Sequence, residues 1–258
     1  MLSAERHELI LRLLRRGRFA TVADISQAAR SSAATIRRDL ARLEQAGLIQ
    51  RIRGGAEIVV EPGEGGPGKD ELPLEYRKGI LLEKKRLIAR AAAAMCNDGE
   101  TVMIDGGSTT FQMAEFLMDR DMRIITNSFA IAAALVPRSR CTLILNGGVV
   151  SMGSQLVLDP FGGDVFANYS AAKLFMGVFG IDETGATNND ALLIRTERAM
   201  IDRARDLVVL ADSTKFDRRG SLFLCGFDRI HSIITDDGIS EGHREMVASR
   251  GIRLLVAS

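Results

Sequence analysis

"SSAATIRRDLARLEQAGLIQRIRGGA", Ser31 to Ala56, decides how the first sixty residues fold. Ile36, Leu40 and Leu43 recur at helical spacing, Ser32 stands where an N-cap belongs, and Gly47 supplies a stop. At about 100° per residue, with Ile36 facing inward, Ala34, Arg38, Ala41 and Gln45 face directly outward, flanked by Arg37 and Arg42. The outward face is therefore small near its N-terminal end and basic beyond it. Alanines let a backbone approach a surface closely, and a helix N-terminus favours a phosphate there. That combination suits a helix lying in the major groove of DNA. After Gly47, Leu48, Ile49 and Ile52 alternate with basic residues up to Gly54 and Gly55, the pattern of a two-stranded wing.

Two further helical patterns precede this stretch. Leu9, Ile10, Leu13 and Leu14 form an apolar stripe that Gly17 can end. Thr21 is placed to cap a short helix burying Val22, Ile25 and Ala29. Charge follows the same division. Residues 1–60 hold eleven arginines against six acids, a net +5, and leave −4 for the remainder of a chain whose total is +1. The first lysine is Lys69, so arginine alone supplies the positive charge, and its forked donors suit phosphates and guanine edges. A basic head on a mildly acidic body is the distribution expected of a nucleic-acid binder.

"EPGEGGPGKDELP", Glu61 to Pro73, is dense in Gly, Pro and charge and lacks apolar periodicity, so it reads as a linker. We therefore expect a DNA-binding domain over 1–60, a linker over 61–73 and a second domain over 74–258. In the second domain, "TVMIDGGSTT", "RIITNS", "TLILNGG", "KLFMGVFGID", "DLVVLADSTKF" and "HSIITD" each read as a buried strand ending in a polar or Gly-rich turn. Helices are expected between them, among them Thr110 to Met118, Phe129 to Leu135 and Thr196 to Arg205. That alternation makes an α/β domain with a mostly parallel sheet, whose ligands bind beyond the strands' C-terminal ends.

"DGGSTT", Asp105 to Thr110, follows a strand and opens a helix, so its N–H groups and hydroxyls can cradle an anion. No Gly-Lys-Ser/Thr follows, which excludes a P-loop. Lys215 is placed to pair with a phosphate, and Asp105 or Asp212 to accept sugar hydroxyls. No nucleophile–base pair is visible, although Asp105, Asp182, Asp212 and Lys215 leave a sugar-phosphate isomerase or lactonase as the alternative reading. His7, His231 and His243 show no metal-ligand spacing, and Cys96, Cys141 and Cys225 are odd in number and scattered, so neither metal nor cofactor is expected. No apolar run reaches the ~18 residues of a membrane span, no basic-then-apolar leader is visible, and the three scattered cysteines point to a reduced cytoplasm.

"TIRRDLARLEQAGLIQRIRGGA" resembles the winged helix-turn-helix signature of the DeoR/GlpR family of bacterial transcriptional regulators. Thr35, Ile36, Arg37, Arg38, Asp39, Leu40, Leu43, Gly47, Arg51, Gly54 and Gly55 stand in pattern. Ser31 departs from the usual valine and Arg53 from the usual histidine. The second domain is similar to that family's effector domain, with a fold like ribose-5-phosphate isomerase and coenzyme A transferases. The resemblance implies a repressor of a carbohydrate-catabolism operon, controlled by a phosphorylated sugar or sugar acid and acting as a homo-oligomer, dimer or tetramer. It implies contacts to double-stranded operator DNA from Thr21, Ser32, Ala33, Ala34, Thr35, Arg37, Arg38, Arg42, Arg51 and Arg53. For the effector it implies Asp105, Gly106, Gly107, Ser108, Thr109, Thr110, Thr126, Asn127, Gly147, Gly148, Asp212 and Lys215. Three positions depart beside that pocket: Phe179 stands where an acid or amide is frequent, Leu193 where glutamate is, and Glu197 where lysine is.

Overall fold

In the computed structural model, which describes residues 3–17, 19–45, 48–52, 54–58, 73–159 and 165–258, the chain divides into two units, Met1–Ile80 and Leu81–Ser258. The first contains α1 (Ser3–Gly17), β1 (Phe19–Thr21), α2 (Val22–Ala29), α3 (Ala33–Gln45), β2 (Ile49–Ile52), β3 (Gly55–Ile58) and α4 (Leu74–Arg77). The expected apolar stripes pack together: Ile10 and Leu14 from α1, Ile25 and Ala29 from α2, and Ile36, Leu40 and Leu43 from α3 are all buried. Thr21 caps α2 reciprocally with Asp24, the hydroxyl accepting from the Asp24 N–H (3.1 Å) while the Asp24 carboxylate accepts from the Thr21 N–H (3.2 Å). Ser32 does the same work for α3, accepting from the Thr35 N–H at 3.2 Å.

The wing differs from expectation by one strand. β1 joins the edge of the hairpin, giving the order β1-β3-β2. Three residues are too few to show an alternating pattern, which is why Phe19–Thr21 escapes a sequence reading. The glycine pair now has a reason. Gly54 turns with φ +89°, and a Cβ on Gly55 would lie 2.2 Å from the Ala20 carbonyl oxygen of β1. Gly47 and Arg53 lie outside the described residues, as does the expected linker apart from Pro73; α4 groups with the first unit.

The second unit runs α5 (Leu82–Ala93), β4 (Thr101–Ile104), α6 (Met113–Leu117), β5 (Arg123–Thr126), α7 (Phe129–Leu135), β6 (Thr142–Leu145), β7 (Val149–Ser151), β8 (Leu156–Leu158), β9 (Ala171–Gly177), β10 (Gly180–Asp182) and β11 (Gly185–Asn188). It continues with α8 (Ala191–Ile201), β12 (Ala204–Leu210), β13 (Leu222–Cys225), β14 (Ser232–Asp236), α9 (Glu241–Ser249) and β15 (Arg253–Ala257). Seven strands form a parallel sheet in the order β15-β14-β12-β9-β4-β5-β6. Alternate residues feed opposite faces. Met103, Leu174, Met176 and Val209 pack on one side, with Ile194 and Met200 of α8. Val102, Ile104, Phe175 and Val208 pack on the other, with Ile88 of α5 and Leu117 of α6. Burial on both faces is what makes these strands read as continuous apolar runs.

Two helix boundaries move. The helix expected from Thr196 begins at Ala191, because Asp190 accepts from the N–H groups of Leu192 (2.9 Å) and Leu193 (3.1 Å). It stops at Ile201, before β12. The helix expected from Thr110 opens as a single 3-10 turn, Thr110–Gln112, before α6. β10, β11 and β13 form a separate antiparallel sheet, and β7 and β8 a hairpin.

Candidate nucleic-acid interface and effector site

α3 presents the expected face. Ala33, Ala34, Arg37, Arg38 and Arg42 are exposed, with Thr35 half-buried between them. Among the described residues, no acid pairs with Arg37 or Arg38. Arg51 is exposed on β2, where Glu44 accepts from its N–H (3.0 Å) and lies 3.5 Å from its guanidinium. Thr21 and Ser32 are committed to their caps.

The opposite side of α3 is anchored by a group the sequence pattern does not single out. Asp39 is 2% exposed and accepts from Arg6 of α1 at 2.6 and 3.2 Å. His7 Nε2 lies 3.0 Å from the same carboxylate, which places its ring proton on Nε2. Burial pushes the Asp39 carboxyl up, but hydrogen bonds from Arg6 and His7 outweigh it and hold it below the usual carboxylate range. Burial also draws His7 below the ordinary imidazole value, against the pull of Asp39.

In the second unit the neighbouring strands β12, β9, β4 and β5 deliver their C-terminal turns to one edge of the sheet, about 4.8 Å apart. Asn127, after β5, clasps the turn after β4. Its amide donates to Asp105 (2.7 Å) and its carbonyl oxygen accepts from the Gly106 N–H (2.8 Å). A Cβ on Gly106 would lie 2.0 Å from the Leu156 side chain, so a larger residue there requires Leu156 to move. The Thr126 hydroxyl donates to the Ile104 carbonyl (2.6 Å) and accepts from the Ser128 N–H (3.0 Å). Thr110 and Gln112 return donors to the carbonyls of Gly107 (3.1 Å) and Ser108 (3.3 Å). No described residue accepts from the N–H groups of Gly107, Ser108 and Thr109. Three successive donors left unused in this way are the kind of backbone run that can bind an anion.

Asp212, after β12, is buried and caps the short turn Ser213–Lys215, accepting from the Thr214 N–H at 3.0 Å. Asp236, after β14, accepts from the Ser213 N–H (2.7 Å) and pairs with Lys84. These bonds fix the turn that carries Lys215, whose Nζ lies 6.0 Å from the Phe179 ring centroid. The Arg218 guanidinium lies 4.4 Å from the same ring. Gly147 and Gly148 sit elsewhere, at the end of edge strand β6, two strands from β4. Gly148 has φ +141° and approaches Leu158 so closely that a Cβ would meet its carbonyl oxygen at 2.3 Å. Asp182 stands apart too, paired with Arg219 at 3.3 Å.

The group that sequence reasoning undervalued is Glu197. It is 1% exposed on α8, and the Asn188 amide donates to both its oxygens at 2.9 and 3.1 Å. Burial, then the neighbouring Asp105 charge, raise its pKa well above the usual range against the opposing pull of Asn188. A signal was present: Glu197 falls three residues from Ile194 and Met200 and four from Ile201, all inward-facing positions.

Among the described residues, no helix is long and apolar enough to cross a membrane. A family model described as the DeoR-like helix-turn-helix domain matches residues 6–61, and one described as the DeoR C terminal sensor domain matches residues 81–237. The chain is similar to HTH-type transcriptional regulators UlaR from Shigella dysenteriae serotype 1 (strain Sd197) and Escherichia coli (strain K12 / DH10B). Each is 28% identical over 255 residues, covering 99% of both chains. Among solved structures, a D-ribose-5-phosphate isomerase in complex with phospho-erythronic acid is similar over 52% of this chain and 54% of that one, at 15% identity and TM-score 0.40. The eIF2B delta of Chaetomium thermophilum is similar over 62% of each chain, at 16% identity and TM-score 0.42.

Proposed function

The chain belongs to the DeoR family of transcriptional regulators, a DNA-binding regulator and not an enzyme, and on that premise we propose that it represses a carbohydrate-catabolism operon in the cytoplasm under the control of a phosphorylated sugar or sugar acid. In this reading α3 enters the major groove of operator DNA, with Ala33, Ala34 and Thr35 against the backbone and Arg37, Arg38 and Arg42 toward base edges and phosphates. Arg51 and Arg53 bring the wing to the flanking phosphates. The effector's phosphate lies on the Gly107–Thr109 donors with Lys215 as its counter-charge, and Asp105 accepts from sugar hydroxyls.

The observation that carries the sensor half of this reading is the run of three N–H groups without an acceptor among the described residues, on a turn that Asn127 holds in shape. The protein acts as a homo-oligomer, since one winged helix offers a small interface and two half-sites are the usual solution. Exposed Leu145 on edge strand β6, Val149, Val150 and Met152 of the hairpin that follows it, Phe129 on α7 and Val136 just after α7 supply apolar surface for a second copy. The test is a thermal-shift screen of phosphorylated sugars followed by an operator-binding assay with any hit. A hit that shifts operator affinity supports the reading; a broad panel with no hit sinks it.

A further inference from the structure

Lys215 opens a short segment, Lys215 to Arg218, that is docked along β10. The Asp217 N–H donates to the Ile181 carbonyl at 3.0 Å, and Phe216 forms a β-bridge with the same residue. Gly180 admits the end of the segment, since a Cβ there would lie 2.0 Å from the Arg218 carbonyl oxygen. Phe216 is buried and stacks on the His243 ring of α9, with centroids 5.0 Å apart. Asp217 turns the chain with φ +60° and pairs with His243 Nε2 at 2.9 Å. The acid between the two cations is thus engaged by α9. Lys215 and Arg218 are half-buried around Phe179, at 6.0 and 4.4 Å from its ring centroid, while Arg219 pairs with Asp182.

Phe179 stands two residues beyond β9, the strand that lies between β4 and β12. The Asp105 N–H donates to the Phe175 carbonyl of β9 at 2.9 Å, so the turn that offers the Gly107–Thr109 donors starts against the same strand. Across β9, β4 and β12 are about 10 Å apart. In the effector reading, a phosphate on those donors takes Lys215 as its counter-charge and leaves Arg218 beside it for the rest of the ligand. An aromatic face attracts a guanidinium only weakly, and two cations around one ring repel each other. A carboxylate or phosphate answers that charge better, because its paired oxygens match the guanidinium fork. Neutral hydroxyls offer no such match. We infer that Arg218 is a specificity-determining residue of the effector site, selecting a doubly anionic ligand: a phosphorylated sugar that also carries a carboxylate or a second phosphate. This inference rests on the effector reading of the Gly107–Thr109 turn and narrows it.

The test uses the full-length protein and calorimetric titration of three matched probes, glucose 6-phosphate, 6-phosphogluconate and fructose 1,6-bisphosphate, together with the corresponding five-carbon set. The wild type should bind a doubly anionic member at least about tenfold more tightly than the monophosphate, and the class that leads names the second anion. Arg218→Gln should bring that ratio to within about threefold by weakening the doubly anionic probe alone. Arg218→Lys, which keeps the charge and loses the fork, should give an intermediate ratio; a melting curve establishes that each variant is folded. Monophosphates binding the wild type as tightly as both doubly anionic classes would overturn the inference. So would a folded Arg218→Gln that weakens every probe by the same factor, since Arg218 would then grip the shared phosphate. Binding of no phosphorylated probe, with no protection by inorganic phosphate, would instead fail the effector reading itself and take this inference with it.

Discussion

Arg6 of α1 donates to Asp39 of α3 at 2.6 Å, and this ion pair is formed on the helix side opposite the exposed Arg37 and Arg38. The three consecutive charged residues of "RRD" therefore do two different jobs. Asp39→Ala removes one partner of a buried pair and should cost about 3–5 kcal/mol of head-domain stability, read from a urea transition. Arg38→Ala should leave that transition in place and cost roughly 1–3 kcal/mol of operator binding. Normal operator affinity in folded Arg38→Ala would remove Arg38 from the interface.

His7 shares the Asp39 carboxylate and gives the head a pH dependence of known sign. Its folded pKa lies below the unfolded value of about 6.5, so the folded state resists taking a proton that the unfolded chain accepts. Its contribution is complete above about pH 6.5 and is lost as pH falls from there through the lowered folded value. The urea midpoint of the head transition should therefore drop between about pH 7 and 5, and His7→Gln should flatten the drop. An equal slope in both proteins would assign the acid sensitivity elsewhere.

The apolar edge makes a separate prediction. Met152 is 85% exposed and Val149 61%, at the turn and at the first residue of the β7–β8 hairpin that follows edge strand β6. Val149→Glu with Met152→Glu should change little in thermal stability, because neither side chain is buried in one chain. Sedimentation should show the oligomer dissociating, and operator affinity should fall with it. A variant that sediments like the wild type would clear this face of any role in assembly.

The residues that could be read from the sequence were those whose role is local. Ile36, Leu40 and Leu43 follow the helical period, Thr21 and Ser32 cap the helices they precede, and Asp105 to Thr110 sits where a strand meets a helix. The expected α3 face and six of the seven strands of the parallel sheet follow from such signals. Non-local pairings left no such trace. The Asp39–Arg6 pair spans 33 positions, and β1 finds its partner in β3, across α2 and α3. Glu197 looks like a misplaced charge until Asn188, on another element, is seen to orient it. Asp212 shows a local role the motif reading did not include, since the acid expected to meet sugar also caps its own turn.

The last prediction concerns the switch. A phosphorylated sugar bridging the Gly107–Thr109 donors and Lys215 would draw together the turns after β4 and β12, which flank β9 in the sheet. In the proposed homo-oligomer, drawing them in would change the surface that two copies present to each other, and with it the fit of their heads to two half-sites. DNA fixes half-site spacing at about 34–36 Å, so a small displacement loses contacts on both sides at once. A ligand shifts such an equilibrium only by its differential affinity, and about 1–3 kcal/mol of coupling gives a ~5–150-fold change in operator binding. Lys215→Ala should therefore bind operator as the wild type does and fail to respond to the effector. Reciprocity adds a second measurement: operator DNA should change effector affinity by the same factor as the effector changes operator affinity. A sugar that binds the protein but leaves operator affinity unchanged at every salt concentration is not the signal, whatever its affinity.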